Sequence, residues 1–421
     1  MRIPDFIGSR QYIDKTFWTL FIILIVVAII ALFSAGSTLA YEATGSALGP
    51  IFKQIIFLVI GVACAYFIQL LPVWMMRFGG YIAFFFALLC LYIMLIPGNP
   101  FVVTINGAGR WFEICGVQFQ PSEIAKLGLI IVVADQLGRI QSEEDVKKRF
   151  LWTLVATIAI CFPIMTGNMS TALLLGSVVF IMWVLARMPW KYIGIVAGSV
   201  VVLGILFYVI VEFAFIRPER SLPKPFDRAI TQVGRIDKMM EEHQQSAEEF
   251  KLTDANRQRS IAKVAVMRGG KSPFGVLPGN SQERDFLPLA YADYIFAIIV
   301  EETGLVGAIA LILLYMVILC RACFASSKYD DYTAMLMTMG LALMITCQAF
   351  VSMAVSVGIG PVTGQPLPMI SKGGTSVLIT SLYFGVMMSV AREQNEKRAG
   401  IDKSVRESEE IVPEINVNEN E

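Results

Sequence analysis

Side chains that build metal and acid–base sites in soluble enzymes are scarce in this sequence. Its 421 residues include a single histidine, His243, so a zinc site made of several histidines is excluded. Charged residues make up only 16% of the chain, and the 34 Lys and Arg equal the 34 Asp and Glu. Because the net charge is zero, nothing in the charge balance indicates a nucleic-acid partner.

The cysteines give no sign of a disulfide framework. The seven of them lie mostly within or at the ends of apolar runs, where cysteine behaves as a small hydrophobic residue. Cys320 and Cys323 form a C-x-x-C motif, but it follows the run LILLYMVIL and has no second pair or βαβ pattern around it. We therefore assign this pair neither a redox nor a metal-binding function.

Hydrophobic residues are what the chain has in abundance. They make up 56% of it, and the mean hydropathy is +0.65, which is typical of a polytopic membrane protein. The first apolar run has no small-residue cleavage site at its end, so we expect it to be retained as a span. Since a spanning helix needs about 20 apolar residues, we predict an all-α fold with about ten transmembrane helices. They lie near residues 17–38, 51–71, 79–97, 122–138, 150–166, 169–187, 191–214, 293–320, 333–357 and 371–391.

The positions of Lys and Arg predict the orientation of these spans. Among the short segments, one set of loops and both terminal segments carry Lys and Arg, whereas the opposite short loops have almost none; these residues are Arg2, Arg10, Lys15, Arg77, Arg139, Lys147, Lys148, Arg149, Arg187, Lys191, Arg321, Lys328, Arg392, Lys397 and Arg398. By the positive-inside rule this side is cytoplasmic, so both termini are predicted to lie inside. The predicted parts are a cytoplasmic N-terminus (1–16), a transmembrane domain (17–392) and a cytoplasmic tail (393–421) that is polar enough to be disordered. The domain includes a large extracytoplasmic loop (215–290) between spans 7 and 8.

Three segments on the predicted outer side carry polar residues that membrane spans usually avoid. The first is GAGRWFEICGVQFQPSEIAKLG, in which Pro121 suits the first turn of a helix and Glu123 favours the helix dipole. Glu123 and Lys126 are three residues apart and share one helix face, where they either line a cavity or form an ion pair at the end of the span. Arg110 and Trp111 are candidates either for substrate contact or for a place at the lipid interface.

The second segment, FLPLAYADYIFAIIVEE, places three acids in an apolar run. On a helix, Asp293 and Glu301 fall on roughly the same side, and Glu302 lies about 100° further round. A row of acids that leads inward indicates a proton path or an internal polar network. The preceding stretch RGGKSPFGVLPGNSQERD is rich in Gly and Pro, which predicts tight turns with backbone open to a ligand or to water.

The third segment, GPVTGQPLPMISKGGTS, leads into the last span. Its prolines and glycines exclude a regular helix, so we expect a shaped and partly buried loop. Lys372 is its only cation. Broken helices also occur in transporters, so this loop alone does not separate an enzyme from a transporter.

Together, the three segments resemble the SEDS family (shape, elongation, division and sporulation) of membrane glycosyltransferases, over roughly residues 15–392. The family pattern is G-A-x-R-W, F-Q-P-S-E-x-x-K, G-N-S, L-P-x-A-x-x-D-[FY]-I-[FY]-A, E-E-x-G-L-x-G and P-x-T-G-x-x-L-P-x-x-S-x-G-G-[ST]-S. The matching residues are Gly107, Ala108, Arg110, Trp111, Phe119, Gln120, Pro121, Ser122, Glu123, Lys126, Gly279, Asn280, Ser281, Leu287, Pro288, Ala290, Asp293, Tyr294, Ile295, Phe296, Glu301, Glu302, Gly304, Gly307, Pro361, Thr363, Gly364, Leu367, Pro368, Ser371, Gly373, Gly374, Thr375 and Ser376.

The chain also departs from the family pattern. Leu289 and Tyr291 stand where the family often has Glu and His, and Asn168 replaces an acid at the sixth span. Lys372 stands where Tyr is common, and Ser352 where Asn is common. The stretches PGNSQERDFLP and SKGGTS are most similar to the division-type (FtsW) branch, with the elongation-type (RodA) branch as the second choice.

The resemblance implies a peptidoglycan glycosyltransferase that polymerises lipid II at the outer face of the bacterial inner membrane during septal wall synthesis. An acceptor hydroxyl attacks the anomeric carbon of the lipid-linked donor, and undecaprenyl pyrophosphate leaves. A neutral hydroxyl needs a base, and the Asp that matches Asp293 is the essential residue of the family. The expected substrate-binding residues are Arg110, Trp111, Glu123, Lys126, Gln258, Ser371 and Lys372, and the expected structural residues are Glu301 and Glu302.

The resemblance also implies partners: a class B penicillin-binding protein that crosslinks the strands, and other divisome membrane proteins. A divalent cation, Mg or Mn, is compatible with a pyrophosphate leaving group, but no ligand spacing requires one and no metal ligand is predicted. Two other classes remain open. One is a flippase or transporter of the lipid-linked precursor, although the inverted repeat expected of such proteins is not evident. The other is a scaffold without catalysis, which the Asp293, Glu123 and Lys126 set disfavours.

Overall fold

The computed structural model describes residues 12–35, 48–96, 98–105, 108–114, 117–140, 142–215, 254–287, 291–360 and 363–411. Much of the predicted extracytoplasmic loop, 216–253, lies outside these residues, as do Gly107, Pro288, Ala290 and Pro361 of the motifs. The domain bounds given above stay predictions.

Helices dominate the described chain, which is 78% helical. In order they are α1 (Lys15–Ala35), α2 (Leu48–Leu70), α3 (Val73–Ile93), α4 (Pro121–Gly138), α5 (Glu143–Gly167), α6 (Met169–Leu185), α7 (Trp190–Phe215), α8 (Asp254–Gly270), α9 (Ile295–Ser326), α10 (Tyr332–Ser356) and α11 (Gly374–Ile411). A 3₁₀ turn covers Glu283–Asp285. This architecture confirms the prediction of an all-α polytopic membrane protein.

Seven of the described helices, α1, α2, α3, α5, α9, α10 and α11, are long and apolar enough to cross a membrane. Three further predicted spans correspond to α4, α6 and α7. Helix α4 carries the charged residues Glu123, Lys126 and Asp135, and the apolar parts of α6 and α7 are shorter than those of the seven. The prediction of about ten spans therefore stays a prediction for these three.

Burial separates central helices from peripheral ones. In α10 and α11, 78% of the apolar window is buried inside the protein, against 28% in α2 and α9. Nearly every residue of α4 is buried as well. At Gly128 a Cβ would lie 2.5 Å from the backbone nitrogen of Phe84, so α3 and α4 pack with their backbones in close approach. The polar side chains of α4 and α10 therefore face other protein groups rather than lipid.

Capping residues fix where several helices begin. Pro121 opens α4, where a missing N–H has no cost. The Ser142 side chain accepts from the amide of Asp145 at the start of α5, and Asp331 accepts from Thr333 at the start of α10.

A small antiparallel sheet precedes α4, and the sequence prediction missed it. Its strands are β1 (Val102–Ile105), β2 (Ala108–Ile114) and β3 (Val117–Phe119), in the order β1-β2-β3. The signal was present in the sequence: β-branched and aromatic residues lie on both sides of an Asn-Gly pair, a strong hairpin pattern. The search for apolar runs of spanning length passed over strands this short.

The last helix continues well beyond the membrane span. Helix α11 runs to Ile411, so the prediction of disorder from residue 393 is wrong for 393–411. Lys397 pairs with Glu393 at 3.1 Å, and Arg392 with Glu396 at 3.8 Å, both at i,i+4 spacing that supports a helix. Residues 412–421 lie outside the described part.

Polar contacts join the helices at the end of the bundle where the two terminal segments meet, which we call the terminus end. There Asn395 donates to the Tyr12 carbonyl at 3.2 Å, and Arg321 pairs with Asp14. The Glu393 carboxylate accepts from the amide of Val73 at 2.8 Å, at the start of α3. The opposite end, with the sheet and the loops before α9 and α11, is called the loop end below.

Candidate active site

The sheet at the loop end presents Arg110 and Trp111. Arg110 is the extra residue of a β-bulge in β2, between the Trp111–Val103 and Gly109–Thr104 pairs, so the regular alternation of side chains is interrupted at this point. Arg110 Nε donates to the Gly167 carbonyl at 3.0 Å, at the C-terminal end of α5. Carbonyls at a helix C-terminus lack intrahelical donors, and a guanidinium satisfies one of them. Trp111 is half-buried and pairs with Val103 of β1.

Residues 363–373, which we call the proline loop, have no helix or strand structure. Prolines cannot donate to a helix or strand ladder, and the loop forms neither. Side chains around the loop therefore supply donors to its carbonyls. The contacts are Gln348 Nε2 to Pro366 O at 3.0 Å, Tyr315 Oη to Pro368 O at 2.6 Å and Asn168 Nδ2 to Thr363 O at 3.4 Å, and Gln365 Nε2 donates to Thr171 Oγ1. The shaped loop expected from the sequence is thus held by α6, α9 and α10 and by Asn168, which lies between α5 and α6.

The proline loop passes next to Asp293 and Arg110. A Cβ built on Gly364 would lie 3.5 Å from Arg110 Nη1 and 3.7 Å from Asp293 Oδ2. Gly364 has φ +61°, a conformation that glycine adopts without strain. The loop backbone therefore approaches both functional groups closely.

Asp293 occupies the turn just before α9 and is half-buried. Burial raises the pKa of its carboxyl above the usual value, and the nearby Arg110 guanidinium opposes that rise. Among the described residues, the Asp293 carboxylate accepts no hydrogen bond. A carboxylate in this environment is a stronger base than one in water.

Lys372 and Ser371 are both tied to their surroundings. The amide of Lys372 donates to the Tyr291 carbonyl at 2.9 Å, and its ammonium lies over the Tyr291 ring, 4.7 Å from the centroid. Lys372 is thus held against Tyr291, which precedes Asp293 by two residues in the sequence. The buried Ser371 hydroxyl accepts from the amide of Leu367 at 2.8 Å, a contact within the proline loop.

Glu123 and Lys126 form a buried ion pair behind the proline loop. Lys126 Nζ lies 2.7 Å from Glu123 Oε1 and donates to Gln348 Oε1 at 2.8 Å. Lys126 is 0% exposed and Glu123 4% exposed, so neither is open to a substrate that arrives from outside.

Glu301 and Glu302 hold the G-N-S segment against α9. Glu301 accepts from the Ser281 hydroxyl and from the amides of Gln282 (3.1 Å) and Glu283 (3.4 Å). Glu302 accepts from the Ser34 hydroxyl and, at 3.1 Å, from the amide of Gly279. Both carboxylates are thus occupied with internal contacts, as a structural role requires.

The helix that carries these acids is kinked at Gly304, which has φ +66° and ψ −160°. A Cβ there would lie 2.4 Å from the amide nitrogen of Gly275 and 2.5 Å from the Pro273 carbonyl, so only glycine fits. The amide of Val306 donates to the Pro273 carbonyl at 3.1 Å. The kink lets residues 271–276 cross α9.

Gln258, another predicted substrate-binding residue, lies one turn before Ala262, which packs in the same apolar cluster as Tyr294. It is half-buried on α8, and its side chain forms no hydrogen bond within the described residues. Its neighbour Arg259 donates to the carbonyl of Gly358 at 2.9 Å, so α8 contacts the segment that leads into the proline loop.

Sequence reasoning missed Gln348 and Tyr315, which both donate to the proline loop. A usable signal existed for Gln348, a polar residue in the apolar run LMITCQAFV. Tyr315 in LILLYMVIL has no such signal, because tyrosine is common in apolar spans.

The described residues contain no group of three or more His, Cys, Asp and Glu side chains that could hold a metal ion. Asp293 has a guanidinium rather than a second carboxylate near it. The described residues therefore do not supply a set of carboxylate ligands for Mg or Mn.

Comparisons with known proteins agree with this fold and these motifs. The sequence model of the FtsW, RodA and SpoVE family, described as "Cell cycle protein", matches residues 14–396. A "Probable peptidoglycan glycosyltransferase FtsW" of Enterococcus hirae is 31% identical over 307 residues, which cover 72% of this chain and 73% of the relative. The "Peptidoglycan glycosyltransferase MrdB" of Escherichia coli K12 is 27% identical over 388 residues, 89% and 95% of the two chains. Another FtsW relative, of Saccharophagus degradans, is 30% identical over 409 residues, 92% and 96% of the two chains.

Solved structures share the fold. One, described as "Structural coordination of polymerization and crosslinking by a peptidoglycan synthase complex", superposes with a TM-score of 0.69 at 22% identity and covers 91% of this chain and 98% of that chain. The rod shape determining protein RodA of Thermus thermophilus gives a TM-score of 0.61 at 20% identity, with 91% and 97% coverage.

Proposed function

The chain belongs to the FtsW, RodA and SpoVE family of multi-pass membrane proteins, whose curated relatives are peptidoglycan glycosyltransferases, and from this premise we propose that it polymerises lipid II into glycan strands. The observation that carries the proposal is Asp293, a carboxyl with a raised pKa beside Arg110 and the proline loop. Tight binding of a lipid-linked sugar fits a site at one end of a membrane bundle, because the polyprenyl tail stays in the bilayer.

In the proposed reaction, Asp293 takes the proton of the acceptor hydroxyl as the oxygen attacks the anomeric carbon of the donor. The carbon–oxygen bond to the pyrophosphate breaks, and undecaprenyl pyrophosphate leaves with the electron pair. A raised pKa brings the base closer to the operating pH, and Arg110 keeps it ionised.

Cations near the base receive the developing charge of the leaving group. Arg110 lies beside Asp293, and Lys372 contacts Tyr291, two residues before Asp293; these two cations are the candidates, and Trp111 follows Arg110 in the same strand. The buried Glu123 and Lys126, with Ser371, support the site from behind. Glu301 and Glu302 act as scaffold.

The test uses purified protein, alone and with its cognate penicillin-binding partner, supplied with labelled lipid II in detergent. Asp293→Ala is expected to lower polymer formation by about 10²-fold or more. The matched control Glu113→Gln removes a carboxylate of the same loop end that pairs with Gln118, and it should leave polymerisation intact.

A second outcome would favour the transporter class. If wild type and Asp293→Ala both move the lipid-linked precursor across liposome membranes and neither makes polymer, the glycosyltransferase proposal is overturned.

The division role is a finer part of the proposal. Relatives named FtsW are 26% to 31% identical to the chain and one named MrdB is 27% identical, so the division role is proposed from the stretches PGNSQERDFLP and SKGGTS rather than from these identities. The proposed setting is the septal inner membrane with both termini in the cytoplasm, together with a class B penicillin-binding protein and other divisome proteins. Depletion in cells distinguishes the branches: filaments support division, and rounded cells support the RodA-like alternative.

A further inference from the structure

Gln348 joins two parts of the site that are far apart in sequence. It is 3% exposed on α10, and its Oε1 accepts from Lys126 Nζ at 2.8 Å. Its Nε2 donates to the Pro366 carbonyl at 3.0 Å. One amide thus links the buried ion pair of α4 to the proline loop.

The chemistry of the two partners fixes the amide orientation. An ammonium only donates and a carbonyl only accepts, so Oε1 must face Lys126 and Nε2 must face Pro366. An apolar side chain of the same size would leave both partners without this contact. Buried groups that lose a partner are costly, so the arrangement is strongly specified.

The proline loop depends on such donors for its position. Pro366 and Pro368 cannot donate, and their carbonyls accept from Gln348 and from the hydroxyl of Tyr315, which is 0% exposed on α9. Gly364, two residues before Pro366, lies against Arg110 and Asp293. A shift of the loop therefore changes the surroundings of the proposed base directly.

We propose that Gln348, assisted by Tyr315, is a positioning residue that sets the proline loop against Asp293. The Glu123–Lys126 pair then acts on the reaction through Gln348 and this loop, not by contact with the donor. This inference rests on the proposed function and adds to it a route by which two fully buried charges affect the chemistry.

The main variant is Gln348→Met, which keeps the volume and removes both hydrogen bonds. With the penicillin-binding partner and labelled lipid II, kcat is expected to fall about 10- to 100-fold, the range for a small misplacement near the reacting groups, with KM little changed. Ser356→Ala is the matched control: it removes a buried hydrogen bond of the same helix, from the Ser356 hydroxyl to the Ser352 carbonyl at 3.0 Å, and this bond involves neither the loop nor Tyr315. Rates are compared per folded protein, measured by size-exclusion and thermal unfolding.

A double-mutant cycle separates a relay from direct contact. If Lys126 acts through Gln348, the variant Lys126→Met with Gln348→Met is no slower than the slower single variant. Additive losses of kcat in the double variant overturn the inference, because Lys126 and Gln348 then act independently. A raised KM with unchanged kcat in Lys126→Met also overturns it, because Lys126 then acts on donor binding.

Tyr315→Phe keeps the inference testable if Gln348→Met does not fold. It removes only the hydroxyl that donates to Pro368 and should lower kcat in the same direction, whereas an unchanged kcat counts against the positioning role. Asp293→Ala in the same assay reports on the proposed function separately. Full activity of Asp293→Ala refutes the assignment of the base whatever the Gln348 variants do.

Discussion

Asp135 is a buried carboxylate and Asp293 a half-buried one, at opposite ends of the same bundle, and their surroundings differ. At the terminus end, Asp135 is 0% exposed and accepts from Tyr81 Oη at 2.9 Å and pairs with Arg139 Nη2 at 2.8 Å. Arg77 Nη1 lies 3.9 Å away. At the loop end, the Asp293 carboxylate accepts no hydrogen bond from any described residue and has Arg110 as its electrostatic neighbour.

The difference separates a carboxylate that holds the fold from one kept available for chemistry. Donors from α3 and from the end of α4 surround Asp135, so its charge is compensated and α3 is tied to α4. Asp293 is half-buried and accepts no hydrogen bond from the described residues, and the Arg110 guanidinium offsets only part of the effect of burial, an arrangement typical of functional sites. The terminus end is thus expected to be rigid, and the loop end to be chemically active.

The largest expected effect on the free energy of unfolding comes from replacing an aspartate by asparagine at each end of the bundle. Asp135→Asn removes the charge between Arg77 and Arg139 and should lower the free energy of unfolding by about 3 kcal/mol. Asp293→Asn should not lower it, because no hydrogen bond is lost and the substitution removes a charge that burial disfavours. Denaturant titration in detergent measures both, and equal destabilisation by the two variants would remove the distinction between the ends.

A smaller effect is expected from Arg110→Gln. Glutamine can still donate to the Gly167 carbonyl but carries no charge, so kcat/KM should fall about 10- to 100-fold. Since Asp293 must be ionised to act, activity is lost as pH falls through its raised pKa. Without Arg110 that pKa rises further, and the acid limb of the pH profile should move to higher pH.

Lys372→Gln is the control for the pH profile. Its ammonium lies over the Tyr291 ring, so the substitution should weaken donor binding and leave the acid limb in place. An acid limb that does not move in Arg110→Gln would show that Asp293 is not the titrating base.

The smallest effect is expected from Tyr81→Phe at the terminus end. It deletes one hydroxyl that donates to Asp135, so the free energy of unfolding should fall by about 1 kcal/mol. Lipid II polymerisation per folded protein should be unchanged. A selective loss of polymerisation in this variant would mean that the two ends are coupled.

Much of the architecture was predictable from local sequence. Apolar runs near residues 17–38 and 333–357 predicted helices now found as Lys15–Ala35 and Tyr332–Ser356. The motif residues Asp293, Glu123 and Lys126 were found because acids and bases in apolar segments are conspicuous. The sheet before α4 and the helix over 393–411 were missed, because short strands and charge-paired helices lie outside a search for apolar runs.

The sequence by itself determined the membrane class, the helical spans and the residues able to act as base and cations, because hydropathy and motif spacing are local properties. Only the tertiary structure decided which polar groups meet. Lys126 and Gln348 are 222 residues apart, and Tyr315 and Pro368 are 53 apart. Such pairs depend on how α4, α9 and α10 pack around the proline loop. The carbonyls of this loop have no helix or strand partners and accept hydrogen bonds from distant side chains, and no local pattern encodes that packing.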